Sequence, residues 1–197
     1  MSTNYVITNG KIYTEKQVIE NGYLVVEDGK ISDIQQGTYT GELEQIDVKG
    51  QNVLPGFIDI HIHGGYGEDA MDASYDGLKH LAEQLLSEGT TTFLATTMTQ
   101  SDANIEKALK NIVAYQADQQ RGEAAEVGGV HLEGPFISEH KVGAQNPKYV
   151  QRPSASKIQH FQEVANQQIK IITFAPEIEG AHDTLNQLHE DIIFSMG

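Results

Sequence analysis

The sequence contains no cysteine. That excludes disulfides and any thiolate metal site, so a metal ion would have to be held by histidine and carboxylate side chains. Basic residues are scarce: 13 Lys and Arg stand against 28 Asp and Glu, a formal charge of −15. Nucleic acids and anionic membranes are gripped through basic patches, so the acidic balance argues against both as partners. No apolar run approaches the ~18 residues that a membrane span needs. The opening Met1-Ser2-Thr3-Asn4-Tyr5 has neither the basic nor the apolar part of a secretory signal. Together these absences lead to the expectation of a soluble, cytoplasmic protein. The apolar fraction of 39% is enough for a sizeable core, and 197 residues suit one domain with a small second one.

What is present is organised around residues 54–67, Leu-Pro-Gly-Phe-Ile-Asp-Ile-His-Ile-His-Gly-Gly-Tyr-Gly. A Pro-Gly turn opens an alternating run, and glycines close it. Successive side chains of a strand point to opposite faces. Phe57, Asp59, His61 and His63 therefore share one face, and Ile58, Ile60 and Ile62 the other. A face carrying an acid and two imidazoles, backed by isoleucine, suits a strand that lines a cavity. His61 and His63 are about 7 Å apart along the strand, and both rings can reach one ion. The same pair is also compatible with two polar residues on a solvated edge.

Before this stretch, residues 1–53 read as short strands and turns: a hairpin at Asn9-Gly10, another at Asp28-Gly29 and a turn at Gly50. They form a small β-sandwich subdomain, partial in extent, with no cluster of titratable residues. From residue 54 strands and helices alternate. Helices are expected over 74–87, 101–120, 154–166 and 181–189. Strands are expected over 90–99, 127–133, 170–176 and 192–196. Tyr75, Leu78, Leu81, Ala82, Leu85 and Leu86 make the apolar stripe of the first helix. Such alternation predicts a parallel sheet with right-handed crossovers. Residues 54–197 fall well short of the ~250 of a complete (β/α)8 barrel, so the expectation is an α/β fold comprising the first half of a TIM-type barrel, stopping at its fifth strand. A half barrel would expose apolar strand edges.

A second constellation is Gly-Gly-Val-His-Leu-Glu-Gly-Pro, residues 128–135. Period two puts His131 and Glu133 on one face, with Glu133 at the strand end, level with His63 if the strands pair in parallel. His131 lies deeper, as a polar core residue or a partner to a ligand. A loop from 134 to 152 follows, and loops of that length inside a compact domain are usually functional. His80, His160 and His189 fall on helices; His140 and His182 fall in loops.

These stretches, with Gly-Ala-Gln-Asn-Pro at 143–147 and Phe-Ala-Pro-Glu at 174–177, resemble the N-acetylglucosamine-6-phosphate deacetylases of the amidohydrolase superfamily, in family order along the whole chain. The resemblance implies a metal-bearing barrel plus a small β-sandwich, usually dimeric. It also implies removal of acetate from N-acetylglucosamine 6-phosphate with the help of a divalent metal, Zn or Fe, one or two ions. Glu133 matches the family's principal glutamate ligand. His61 and His63 match the variant that can hold a second ion. Ala144 and Gln145 fall where the family contacts the amino sugar. The family's catalytic aspartate, its two later histidine ligands and its phosphate-binding residues have no counterpart in this chain, which is therefore expected to be inactive alone. Many amidohydrolases use a carbamylated lysine at the end of the fourth strand; Lys170 is at the start of that strand and Glu177 at its end, leaving Glu133 to supply the carboxylate. The alternatives are an amidohydrolase for another amide and a non-catalytic binding module.

Overall fold

The computed structural model describes residues 3–197, which separate into two compact units after Pro55. The first unit contains β1 (Tyr5–Tyr13), β2 (Val18–Glu27), β3 (Lys30–Gln36), β4 (Glu44–Asp47) and β5 (Asn52–Val53). They form one five-stranded sheet in the order β3-β2-β1-β4, with β5 also on β1. Ile12, Ile19, Leu24 and Val26 make its buried apolar cluster. The Asp28-Gly29 turn joins β2 to β3, both residues at positive φ. Asn9-Gly10 does not make a hairpin. β1 runs straight through it, and Asn9 (φ 56°) sits at a bulge where the register against β2 slips between Ile7 and Gly10. The left-handed backbone that Asn favours serves a bulge as well as a turn. Here Asn9 Nδ2 donates to Asp47 and the Asn9 carbonyl accepts from Gly50, which ties β1 to the β4–β5 connection. The turn between β1 and β2 instead closes on Thr14, whose hydroxyl oxygen accepts from the Lys16 and Gln17 amides.

In the second unit the chain continues through β6 (Phe57–Ile62), a short hairpin of β7 (Gly64–Gly65) and β8 (Glu68–Asp69), then α1 (Tyr75–Leu85), β9 (Thr90–Thr96), α2 (Asp102–Asp118), β10 (Glu126–Glu133), α3 (Ala155–Val164), β11 (Ile169–Phe174), α4 (Ala181–Leu188) and β12 (Ile193–Met196). The sheet is parallel in sequential order, β12-β11-β10-β9-β6. Its strand–helix units form the first half of a (β/α)8 barrel. Ser74 and Ser101 cap α1 and α2, their hydroxyl oxygens accepting from the Gly77 and Asn104 amides. Leu81, Ile105, Leu109, Ile112, Ile158 and Phe161 from the helices pack on Phe93, Val130, Leu132 and Ile172 from the strands.

Some details differ from the sequence reading. Tyr75 and Leu86 are not buried with their stripe: Tyr75 opens α1 with its hydroxyl on Asp118, and Leu86 begins a 3-10 turn. His182 lies in the first turn of α4, not in a loop, and Glu177 follows the end of β11 rather than closing it. Ile62 packs on the core, but Ile58 and Ile60 are exposed, because β6 is an edge strand. In β10 the register against β9 slips between Val127 and Gly129. Gly129 has φ 150°, and a Cβ there would lie 2.7 Å from the Gln168 carbonyl oxygen. This bulge lets Val127 and Val130 both join the helix-side core.

Candidate metal centre

β6 and β10 are separated by β9, yet their C-terminal ends converge. His61 Nε2 and His63 Nε2 are 3.3 Å apart. Glu133 Oε2 lies 3.3 Å from the first and 2.8 Å from the second. Two donors ~2.1 Å from one ion at a tetrahedral angle are themselves ~3.4 Å apart. Two of the three separations sit close to that value, and the third, His63 to Glu133, is shorter at a hydrogen-bond distance, so a divalent ion would enter the cradle by displacing that bond.

Hydrogen bonds from behind fix the His63 ring and the backbone of β6. His63 Nδ1 faces the Thr96 carbonyl at 3.2 Å. A carbonyl can only accept, so Nδ1 carries a proton, and Nε2, which donates to Glu133 here, is the nitrogen that would ligate once its own proton is lost. The His61 amide donates to Asp59 Oδ1 at 2.9 Å, so Asp59 orders the strand at this ligand. The Thr96 hydroxyl oxygen accepts from the Ile62 amide at 2.9 Å and donates to the Leu94 carbonyl. The Glu133 carboxylate raises the His63 pKa above its ordinary 6.5, chiefly by hydrogen bonding. In return, the hydrogen bond from His63 lowers the Glu133 pKa below 4.5. His131 is buried beneath, and that burial lowers its pKa.

Gln145 lies in the 134–152 loop, and its side-chain oxygen accepts from the Thr99 amide at 2.7 Å, just beyond the end of β9. The same oxygen comes close to Gly134, the residue after Glu133. Ala144 is exposed in the same loop. His140 is exposed beside Glu139, His80 is exposed on α1, and His160 bonds Glu106 across α3 and α2. Thr96 was not singled out by sequence; the only sign of it was the threonine-rich run of 90–99.

A family model described as the amidohydrolase family matches residues 52–178, more than half of the chain. The chain belongs to the amidohydrolase family. Residues 4–53 match the NagA composite domain. This amidohydrolase is 41% identical over 203 aligned positions to the N-acetylglucosamine-6-phosphate deacetylase of Bacillus subtilis, covering 100% of this chain and 51% of that protein. It is 30% identical to the N-acetylgalactosamine-6-phosphate deacetylase of Escherichia coli, over 94% of this chain and 48% of that one. Among solved structures it is similar to the N-acetylglucosamine-6-phosphate deacetylase of Pasteurella multocida, with a TM-score of 0.87 and 31% identity over 98% of this chain and 50% of that one. The chain thus spans about half the length of the curated relatives it matches. The family is metal-dependent, and in this amidohydrolase His61, His63 and Glu133 are gathered as a group able to hold an ion.

Proposed function

We propose that this chain is the N-terminal part of a cytoplasmic, homodimeric enzyme that hydrolyses N-acetylglucosamine 6-phosphate to glucosamine 6-phosphate and acetate. The observation that carries the reading is the convergence of His61, His63 and Glu133 at the C-terminal ends of parallel strands, where barrel enzymes keep their chemistry. The deacetylase names of its relatives support the substrate class.

One or two divalent ions, zinc or iron, held by His61, His63 and Glu133 would draw the pKa of a bound water toward ~7 and polarise an acyl carbonyl. Glu133 supplies the anionic donor, and Thr96 keeps the His63 ring turned so that Nε2 faces the cradle. Ala144 and Gln145 contact the amino sugar. Because the Gln145 side-chain oxygen is committed to Thr99, the group it offers a hydroxyl or acetamide oxygen is its NH2. The aspartate that would move protons between water and the leaving amine, the further histidine ligands and the phosphate clamp lie outside this chain, which is inactive alone.

The test compares the full-length protein with the 197-residue chain for metal content and for acetate release. The substrates are N-acetylglucosamine 6-phosphate, its galacto epimer and the unphosphorylated sugar. The reading predicts metal and turnover of the gluco phosphate in the full-length protein only. A metal-loaded full-length protein that leaves every phosphorylated amino sugar intact refutes the substrate assignment. Preference for the epimer moves the specificity to the galacto series. Turnover by the short chain refutes the assignment of the missing groups.

A further inference from the structure

We infer that His131 is a positioning residue for His61, acting through the backbone carbonyl of Ile60; the inference rests on His61, His63 and Glu133 being a metal cradle. The warrant is a defect in the sheet. β6 pairs with β9 through Phe57–Thr90, Ile58–Thr92 and Asp59–Phe93, then resumes only at Ile62–Ala95. Ile60 and His61 therefore face a single residue of β9, Leu94, and the ladder is interrupted right at the candidate ligand. Backbone groups released in this way turn to side chains or to water.

Side chains take them over. Asp59 receives the His61 amide, Thr96 receives the Ile62 amide, and His131 Nδ1 approaches the Ile60 carbonyl oxygen at 2.7 Å. The first two come from β6 itself and its neighbour. His131 reaches from β10, past β9. Its other nitrogen, Nε2, lies 2.7 Å from Thr173 Oγ1 on β11. The carbonyl can only accept, so Nδ1 carries the proton, and in the neutral ring Nε2 accepts from the threonine hydroxyl. The imidazole is 3% exposed and fixed at both nitrogens. Its ring also meets the His61 ring edge-on, with centroids 4.6 Å apart. One buried ring thus sets both the peptide that precedes His61 and one side of the His61 imidazole.

Two nearly isosteric variants separate the two bonds. In His131→Asn the side-chain NH2 can stand where Nδ1 stood and keep the bond to Ile60. In His131→Gln the amide reaches toward Thr173 and the bond to Ile60 is lost. In the full-length protein, zinc affinity is measured by competition with a chelator. The His61 ring is followed by NMR in the metal-free protein, and unfolding midpoints are measured with denaturant. The Gln variant should lose zinc affinity by ~10–100-fold, the range typical of a lost partner behind a ligand, and its His61 ring signals should move. The Asn variant should keep native affinity and unmoved His61 signals, whatever its midpoint does. Equal losses in both variants, or none in either, overturn the inference. If the Gln variant does not fold, a tenfold loss in the Asn variant alone overturns it. If wild type binds no zinc while the His61 signals follow the Gln–Asn pattern, the metal reading fails and the positioning role stands.

Discussion

Gly134 follows the candidate ligand Glu133 directly, and replacing it with alanine should be costly for two separable reasons. Its φ of 68° lies in the left-handed region, where an L residue costs ~1–2 kcal/mol. A Cβ there would overlap Thr99 Oγ1 and stand 3.2 Å from Thr99 Cβ; forcing an extra carbon into a packed site costs ~1–3 kcal/mol. The sum predicts ~2–5 kcal/mol of destabilisation for Gly134→Ala. Thr99 Oγ1 is buried and, among the described residues, has no hydrogen-bond partner, so Thr99→Ala removes the obstacle without breaking a bond. The double-mutant cycle isolates the steric part. Gly134→Ala should cost its full amount beside Thr99 and ~1–3 kcal/mol less beside Ala at that position. The measurement is urea unfolding with a chelator present, so that metal linkage does not enter. A coupling below ~0.5 kcal/mol would mean that the two residues do not press on each other and that the backbone conformation alone explains the glycine.

Two further outcomes are expected. Gln145→Leu strands the Thr99 amide, which should cost ~1–3 kcal/mol and make the 134–152 loop easier to cleave by protease, a change readable from unfolding and from the mapped cut site. Asp102 has its pKa held below 3.8, first by the hydrogen bond from Lys157 and then by that from Gln151. A lowered carboxylate pKa contributes stability above the unfolded value and loses it as pH falls through the folded one. Asp102→Asn should therefore cost up to ~1 kcal/mol at neutral pH, small because the pair is partly exposed. The difference from wild type should fade in acid below pH 3.8; a difference that stays flat with pH contradicts the assignment.

How much of this was legible in the sequence depended on whether the governing interaction was local. Period two over 130–133 put His131 and Glu133 on one face because the extra residue of the β10 bulge precedes them, at Gly129, and the slip between Val130 and His131 has its extra residue on β11. The helix starts at Ser74 and Ser101 were equally plain, since a cap is decided within three residues. Asn9-Gly10 misled because the dipeptide reports only a positive φ. Whether the chain then reverses or bulges is set by strands 35 and more residues away. The exposure of Ile58 and Ile60 could not be read from alternation, which states the face of a residue but not what covers that face. Thr96 and Thr173 gave no signal as anchors, because each acts on a partner more than 30 residues distant in the chain.

The outer strands of the half barrel lead to a final prediction. The three inner strands bury nearly all their apolar side chains, whereas Phe57, Ile58 and Ile60 on β6 are 62%, 67% and 54% exposed, and Ile193 and Met196 on β12 are 65% and 79% exposed. Both strands also have an open hydrogen-bonding edge in this sheet. Unpaired edges with apolar side chains invite pairing with other chains. The 197-residue chain should therefore bind a hydrophobic dye and self-associate as its concentration rises, as followed by sedimentation. Ile58→Lys together with Ile193→Lys should suppress both effects while leaving the circular dichroism of the folded chain unchanged, because neither side chain contributes to the buried core. A wild-type chain that stays monomeric at high concentration and leaves the dye dark would show that these edges are protected in solution, and the exposure argued from β6 and β12 would be wrong.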